Sequence, residues 1–412
     1  MKFRNFACRT IKTLAVILLL GLGVSAAAKT KFRVLYNFKD GSDGAYPVPL
    51  APLAIDARGN LFGGAEAGGD NKNSYCEGYG CGVIFELSLS DGGKWKERVL
   101  FEITNPVGQG EFDSPLALDG QGNLYGCDNP EPMFELTPSS PQWTFDPIWP
   151  GGCIGPVGLI LDAAGNLYGE FGNDTTGGIS ELSPTSNGWV YTNLYDFCPS
   201  GWNCRDGDEP LAPFSWDTKG NLYGTTWSGG LVGCGSYCGV AFQMTPHGDG
   251  TWTYHVMHRF DSFKGDGYLP YGSITVDGNG GAYGTTTHGG PNGGGTVFKL
   301  TPAGKGRWKE TQIYTFPNGD YGTGPGGNLL FDKAGNLYGT AGSFLYCNGA
   351  CGLVFKLTPR KNGKWNYTVV HHFNMTDGDY PNGLTMDSQG NLYGTTTHGG
   401  KYGYGVVWEI TP

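Results

Sequence analysis

The chain has 412 residues, 73 of them glycine, and a formal net charge of −10 at pH 7. An aromatic content of 14% excludes simple disorder, because disordered chains lack such groups to bury. The glycines do not fall at every third position, which excludes collagen. The acidic balance disfavours nonspecific binding to nucleic acid or anionic membranes and favours neutral or cationic partners.

Residues 1–28 have the three parts of a secretory signal peptide. A front with four basic residues precedes an apolar run over 14–24, and three alanines at 26–28 provide a cleavage site. We therefore predict a secreted, periplasmic or cell-surface protein with no integral membrane segment after cleavage, and a remaining charge of −14. An uncleaved anchor helix is the alternative.

A five-residue phrase, Gly-Asn-Leu-Tyr-Gly or a close variant, occurs seven times at steps of 43 to 63 residues. Its copies begin at Gly59, Gly122, Gly165, Gly220, Gly280, Gly335 and Gly390. A period of this length indicates a repeat architecture, so we predict one domain over residues 29–412.

Each repeat predicts four antiparallel strands. An apolar stretch ending in Asp leads through Asp-x-x-Gly-Asn, which is turn chemistry, into the phrase itself. A third strand ends in Thr-Pro, and a fourth begins with Trp in six repeats. We interpret these tryptophans as packing between neighbouring sheets. They are Trp95, Trp143, Trp189, Trp252, Trp308 and Trp365.

The two ends of the chain indicate how the array closes. The last repeat stops at residues 406–412 after three strands, whereas residues 31–38 match the fourth-strand pattern. We predict an all-β, seven-bladed β-propeller with four antiparallel strands per blade, closed by the N-terminal strand 31–38 completing the last blade. An open solenoid would instead need capping repeats at both ends.

Ten cysteines follow the signal segment, and most are near neighbours. In an exported protein an even, clustered set favours disulfides over zinc, since the pairs lie in different repeats. Pairing of Cys127 with Cys153 is a hypothesis for the shortened second blade. The other predicted pairs are Cys76 with Cys81, Cys198 with Cys204, Cys234 with Cys238, and Cys347 with Cys351.

The phrase Gly-Asn-Leu-Tyr-Gly-Thr-Thr-x-x-Gly-Gly, followed by Gly-x-Val-Phe-x-Leu-Thr-Pro, resembles the GloVer-type tandem repeat of bacterial exported proteins. The best matches are Gly220–Pro246, Gly280–Pro302 and Gly390–Pro412. The resemblance implies a secreted or surface β-propeller-like protein. It brings no established activity and no catalytic residues.

In such a propeller, the loops from second to third strands and from fourth strands to the next blade emerge on one face. Rigid loops around a central opening are typical binding surfaces, so we predict a ligand-binding face there, braced by disulfides. Its candidate residues are His288, His398, Trp227, Asp43, Asp206, Asp266 and Asp377. Shared ancestry of the repeats explains the histidines equally well, and the Asp-Gly loops are typical turns.

No cofactor and no metal site are predicted. Calcium is the alternative that the loop carboxylates leave open, but it needs several oxygens converging at one point, whereas these are spread around a ring. Catalytic motifs such as Gly-x-Ser-x-Gly, His-Glu-x-x-His or a Walker loop do not occur.

The sequence thus favours an exported, non-enzymatic binding or scaffold propeller, expected to be a monomer, that recognises a glycan, a small ligand or a protein. One alternative is a polysaccharide hydrolase or lyase whose carboxylates come from different blades, with Glu66, Glu111 and Glu209 as loop acids of that kind. The other is a purely structural module of the cell envelope.

Overall fold

The computed structural model describes residues 30–69, 80–103, 112–127, 132–140, 142–150, 158–170, 177–199, 201, 204–231, 238–319, 324–342 and 351–412. The described residues form strands and turns without any helix. Among them, no helix is long and apolar enough to span a membrane. The predicted signal peptide lies outside the described residues, and its cleavage stays a prediction.

Seven antiparallel sheets, one for each copy of the phrase, are arranged as the blades of a β-propeller. We number the blades 1–7 in the order of the phrases. Their first strands are Ala54–Ile55, Ala117–Leu118, Ile160–Leu161, Ser215–Trp216, Thr275–Val276, Leu330–Phe331 and Asp379–Met386. Their second strands are Leu61–Ala67, Leu124–Gly126, Leu167–Gly169, Leu222–Thr226, Ala282–Thr286, Leu337–Ala341 and Leu392–His398.

The third and fourth strands complete each blade. The third strands are Val83–Leu89, Met133–Thr137, Gly178–Thr185, Val240–Pro246, Gly293–Pro302, Leu353–Pro359 and Val406–Thr411. The fourth strands are Trp95–Glu102, Thr144–Trp149, Gly188–Asp196, Trp252–Arg259, Trp308–Pro317, Trp365–His372 and, for blade 7, Lys31–Asn37. Three short strands, Ala45–Pro47, Gly267–Tyr268 and His288–Gly289, pair beside blades 1 and 5.

The predicted closure is confirmed. Lys31–Asn37 pairs antiparallel with Val406–Thr411, with Lys31 opposite Thr411 and Asn37 opposite Val406. The head of the chain thereby covers the edge of the last sheet, which would otherwise expose unpaired backbone groups. The seven-bladed architecture is therefore sealed by strand pairing between the chain ends.

The predicted Asp-x-x-Gly-Asn turns have the expected hydrogen bonds. In blade 1, Asp56 Oδ1 accepts the backbone N–H groups of Arg58 and Asn60 at 2.8 Å, and Oδ2 accepts the side-chain amide of Asn60 at 2.8 Å. The equivalent aspartates of the other blades are Asp119, Asp162, Asp217, Asp277, Asp332 and Asp387. In the degenerate blade-5 copy, Lys299 Nζ lies 3.4 Å from Asp277 in place of the missing Asn.

The core lies between blades, because each of seven buried clusters draws its residues from two neighbouring sheets. The tyrosine of the repeated phrase contacts residues of its own blade and of the next blade. Tyr283 donates its hydroxyl to Asp277 at 3.0 Å, and its ring meets Trp365 of blade 6 edge to face at 6.2 Å. Tyr393 repeats this with Asp387 and with Trp95 of blade 1. The predicted inter-sheet role of the tryptophans is confirmed.

The final glycine of the phrase is required by the third strand. A Cβ on Gly284 would lie 2.5 Å from the ring of Phe298, and a Cβ on Gly394 would lie 2.4 Å from the Trp408 ring. The large aromatic side chain of the third strand thus covers the bare backbone of the second. This close packing explains the closing Gly in the six blades whose third strand places an aromatic ring against it; in blade 3, Gly169 is opposite Ser180 instead.

Candidate functional site on the loop face

All seven predicted ligand residues lie on one face, which we call the loop face. It is formed by the loops from second to third strands and from fourth strands to the next blade. The Asp-x-x-Gly-Asn turns lie at the opposite ends of the strands. This placement is the one expected for a propeller with this strand order.

The four Asp-Gly aspartates hold the loops to the fourth strands. Each carboxylate meets the residue two positions before the Phe that follows that strand. The pairs are Asp43 with Tyr36 at 2.7 Å, Asp206 with Tyr195 at 2.8 Å, Asp266 with His258 at 2.8 Å, and Asp377 with His371 at 3.2 Å. These four carboxylates lie at four different boundaries between blades and do not converge on one point. Their contacts with the fourth strands give each of them a structural role, and a role in ligand binding stays a prediction.

The same loops contain backbone strain. The residue before the loop proline has a positive φ in four blades, which is costly for residues other than glycine. These residues are Tyr46 (56°), Glu209 (55°), Leu269 (55°) and Tyr380 (57°). Such strain is concentrated at functional sites, and it places these four side chains on the loop face in a fixed conformation.

His288 in blade 5 is exposed, and its Nδ1 lies 2.9 Å from the hydroxyl of Thr287. Its ring stacks on Tyr268 at 5.7 Å. The backbone N–H groups of Trp227 and Thr287 bond to the strained residues Glu209 and Leu269 of their respective blades. Trp227 therefore occupies the position of Thr287, so it matches the residue before the histidine of the repeat.

His398 in blade 7 has different surroundings, although it belongs to the same sequence motif. Its ring lies 5.1 Å from Tyr46 of blade 1 and 5.6 Å from Tyr380, and Tyr46 in turn meets Tyr404 at 5.6 Å. We call these four residues the aromatic cluster. The three tyrosines were not predicted from the sequence, although an aromatic residue directly before a loop proline, as at Tyr46 and Tyr380, was a signal that could have identified two of them.

Beside this cluster is a cleft of about 660 Å³ between blades 6, 7 and 1, which we call the blade-7 cleft. Its walls are mostly apolar and include Leu50, Met375 and Pro381, and Tyr380 and His398 of the aromatic cluster also line it. A cleft of this size and character is typical of small-ligand sites.

The floor of the cleft is fixed by Asn382, which connects blade 7 to blade 1. Its Oδ1 accepts the backbone N–H of Leu50 and the Thr397 hydroxyl, both at 3.1 Å. Its Nδ2 donates to the Pro47 carbonyl at 3.3 Å and to the Thr395 hydroxyl at 3.0 Å. Both polar atoms of Asn382 thus bond across the boundary between blades 7 and 1, where the propeller closes. These bonds fix the floor of the cleft before any ligand binds.

Asp379 supplies the one carboxylate among the described residues that line the blade-7 cleft. Its side chain is buried, and burial raises its pKa against the opposing effects of the Tyr380 backbone amide and His398. Burial lowers the pKa of His398, with Asp379 partly opposing that shift. The two residues are paired in register across the first and second strands. At neutral pH the histidine is therefore uncharged.

A second cavity, of about 210 Å³, lies at the centre of the ring, where segments before the first strands of blades 1, 2, 4, 5 and 6 meet. Glu66 and Asp113 line it together with Tyr271, whose pKa is raised by burial and by the charge of Asp113. Among the described lining residues there is no histidine. Of the three loop acids considered for catalysis, Glu66 reaches this cavity, Glu209 lies in the blade-4 loop, and Glu111 lies outside the described residues.

A buried acid was not found from the sequence. Glu170 stands where four of the other six repeats have Thr, it is 2% exposed, and its Oε2 has no hydrogen-bond partner. Burial, together with the charges of Glu209 and Asp208, raises its pKa to about 9. The replacement of Thr by Glu directly after the phrase was the available signal. We interpret Glu170 as a protonated carboxyl between blades 3 and 4.

One of the five predicted disulfides lies wholly within the described residues and is confirmed. Cys198 and Cys204 form it in a loop between a fourth strand and the next blade. Disulfides are typical of oxidising compartments. One member of each other predicted pair is also disulfide-bonded, and these are Cys81, Cys127, Cys238 and Cys351.

The predicted partners of those four cysteines lie outside the described residues. Cys153, the predicted partner of Cys127 in the shortened second blade, is one of them. The pairing of Cys127 with Cys153 therefore stays a prediction. The same holds for the three pairings that involve Cys76, Cys234 and Cys347.

Within the described part of the chain, no group of three or more His, Cys, Asp or Glu residues has a metal-binding arrangement. The four Asp-Gly carboxylates, which left calcium open as an alternative, each lie at a different seam. Calcium needs several oxygens at one point, and these carboxylates do not supply them.

Comparisons with known proteins agree with this fold. YCF48 from Cyanidioschyzon merolae has a TM-score of 0.54 at 12% identity, covering 92% of this chain and 99% of that one. A structure of YCF48 bound to D1 peptide has a TM-score of 0.51 at 12% identity, covering 93% and 97%. A protein from Lactobacillus plantarum has a TM-score of 0.50 at 13% identity, covering 80% and 95%. At these identities the likeness shows the fold alone.

No protein of curated function matches the sequence. The family model of the Gloeobacter/Verrucomicrobia repeat matches residues 233–412, which include all of blades 5 and 6 and the phrase of blade 7. This agrees with the resemblance carried by the repeated phrase. Residues 233–412 of this propeller are therefore similar to the Gloeobacter/Verrucomicrobia repeat.

Proposed function

We propose that this protein is an exported, non-enzymatic binding module that takes a small ligand, or a group of similar size on a larger molecule, into the blade-7 cleft. The observation that carries the proposal is the cleft itself, with its volume of about 660 Å³ and its mostly apolar walls. Export is supported by the signal-like residues 1–28 and by the Cys198–Cys204 disulfide.

Three features support this cleft over other positions on the loop face. The strained backbone of Tyr380 fixes an aromatic side chain at its edge. The hydrogen bonds of Asn382 to Leu50 and Pro47, which we call the blade-7 clasp, hold the floor of the cleft in place without a ligand. The His398 side chain is only partly buried, so an incoming molecule has access to the aromatic cluster. A preformed site loses little entropy on binding.

The experiment is a binding screen of the full chain against glycans, peptides and small organic molecules, followed by calorimetry on each hit. His398→Ala removes a cleft residue, whereas His288→Ala removes the matched histidine of blade 5. We expect His398→Ala to weaken binding at least about tenfold, or 1.4 kcal/mol, and His288→Ala to leave it unchanged. Equal affinity of both variants and the parent protein for every hit would show that the site lies elsewhere.

A second candidate function is hydrolysis or cleavage of a polysaccharide at the central cavity. It is favoured by the convergence of Glu66 and Asp113 on that cavity beside Tyr271. Paired carboxylates are the usual machinery of glycoside hydrolysis. Turnover of a polysaccharide that disappears in both Glu66→Gln and Asp113→Asn, with folding intact, would support this candidate. Turnover unaffected by either change would exclude it.

A further inference from the structure

The blade-7 cleft contains a carboxylate but no strong base among its described lining residues. Asp379 is 6% exposed and lines the cleft, and none of the described lining residues is Lys or Arg. The nearest basic side chain is His398, which burial keeps uncharged at neutral pH. A negative charge in mostly apolar surroundings is costly unless an opposite charge approaches it. The described lining residues therefore supply no cationic side chain to pair with Asp379.

The aromatic cluster provides the second part of a cation site. Tyr380 lines the cleft beside Asp379, and the ring of His398 contacts the rings of both Tyr380 and Tyr46. Aromatic faces attract cations, and the attraction is largest where water is excluded. Tyr404 packs against Tyr46 and holds it in place. The Asp379 carboxylate and the rings of Tyr380 and His398 line the same cleft, so all three could attract one positive charge on a ligand.

We propose that the blade-7 cleft selects an organic cation, namely a quaternary or alkylammonium group joined to a short apolar body. This inference rests on the proposed function and specifies the ligand of that site. The apolar side chains of Leu50, Met375 and Pro381 would contact the body of the ligand, while Asp379 and Tyr380 would meet its charge. The net charge of −10 attracts such a ligand from solution.

Other ligand chemistries fit the cleft less well. An anion would meet the charge of Asp379. A neutral sugar needs several directed hydrogen bonds, but Asn382 already uses both of its polar atoms in holding blade 7 to blade 1. A hard metal ion needs about six or more oxygen ligands, and the described residues form no such group. An organic cation needs only one charge and an aromatic or apolar enclosure.

The test compares two probes of nearly equal shape, choline and its uncharged isostere 3,3-dimethylbutan-1-ol, by calorimetry on the full chain. We expect choline to bind at least about tenfold more tightly, equivalent to 1.4 kcal/mol. Asp379→Asn keeps the shape of the side chain and should remove that preference while leaving binding of the alcohol unchanged. Asn also retains an acceptor for the Tyr380 amide, so folding is preserved.

A second variant addresses the rings. Tyr380→Leu introduces the residue that blade 5 carries at the same strained position, Leu269, so the backbone tolerates it. We expect choline affinity to fall at least about fivefold, consistent with loss of a cation–π contact. His288→Ala is the control and should retain parental affinity.

Equal affinity for choline and the alcohol would overturn the inference, and so would choline binding that is unchanged in Asp379→Asn. The proposed function would still be supported if some ligand bound the parent protein more tightly than His398→Ala. Failure of choline to bind, alongside a neutral or anionic hit that depends on His398, would also overturn only the cation assignment. If every hit bound independently of His398, both proposals would fail together. The outcomes are therefore distinguishable.

Discussion

Blades 5 and 7 contain the same hexapeptide, Thr-Thr-Thr-His-Gly-Gly, at residues 285–290 and 395–400. In both, the second threonine donates its hydroxyl to the carbonyl of the histidine, at 3.2 Å and 2.9 Å. Only the blade-7 copy borders a described cleft of about 660 Å³. Identical motifs on one scaffold thus have different surroundings.

The difference comes from three neighbouring positions. Before the loop proline, blade 5 has Tyr268-Leu269 and blade 7 has Asp379-Tyr380. In the next blade around the ring, the residue before the proline is Gly324 beside blade 5 and Tyr46 beside blade 7. The comparison teaches that the repeated motif supplies a rigid frame, while the residues that contact its histidine determine what the frame can bind.

The largest expected loss of stability concerns the frame that both blades share. Trp365→Ala removes the ring packed on Tyr283 of blade 5, and Trp95→Ala removes the ring packed on Tyr393 of blade 7. We expect each change to lower the free energy of unfolding by about 3 kcal/mol, because a large inter-blade contact is lost. Chemical denaturation measures both.

Similar losses in these two variants would show that the seams are equivalent even though one of them joins the two ends of the chain. A far smaller loss for Trp95→Ala would indicate that the blade 7–blade 1 seam opens before global unfolding. That outcome would show that the two blades differ in the stability of their scaffold as well as in their loops.

The second prediction concerns the clasp of blade 7. Asn382→Ala leaves the Leu50 amide and the Pro47 carbonyl without their side-chain partner. We expect a loss of about 2–3 kcal/mol in the free energy of unfolding, because buried polar groups become unsatisfied. Asn328→Ala is the matched control, since Asn328 makes two bonds, both to the backbone of Leu384. It should cost less, and an equal or larger cost would contradict the special role of the blade-7 clasp.

Much of the fold follows from the sequence, because its determinants are local and repeated. Seven phrases give seven blades, and the unpaired pattern at residues 31–38 gives the closure. The predicted strand 31–38 agrees with the observed Lys31–Asn37 to within one residue. The inter-blade role of Trp was also predictable, since one Trp at one position in most repeats implies one structural task.

The candidate site was less predictable, because it depends on residues far apart in the chain. Tyr46 reaches His398 only because the ring closes. Asp379 differs from the Asp-Gly aspartate Asp377 by two positions, yet Asp379 lines the cleft and Asp377 lies against His371. Sequence patterns placed the candidate residues on one common face, but they could not distinguish one inter-blade contact from another.

The third prediction extends the comparison to blade 3, where Glu170 replaces the threonine found as Thr285 in blade 5 and Thr395 in blade 7. Its pKa of about 9 exceeds its value in the unfolded chain. Between roughly pH 5 and pH 8 the unfolded state has lost a proton that the folded state retains, so stability falls as pH rises. The contribution of one such group has a slope of about 1.4 kcal/mol per pH unit.

Glu170→Gln keeps the shape of the side chain but cannot ionise. We expect it to flatten the decline in unfolding free energy between pH 5 and pH 8 and to stabilise the protein most at the alkaline end. Denaturation curves of the parent and the variant at several pH values measure this difference. Parallel pH profiles would show that Glu170 is ionised in the folded protein.

The smallest expected effect is in the two histidines of the shared hexapeptide. Burial lowers the pKa of both His288 and His398, but only His398 faces a carboxylate, that of Asp379, which favours its charged form. Asp379→Asn should therefore lower the pKa of His398 further and leave that of His288 unchanged. NMR titration follows both rings, with His288→Ala and His398→Ala providing the assignments. An unchanged pKa of His398 would show that the charge of Asp379 does not act on the histidine. The two blades would then not differ in the electrostatic environment of their histidines.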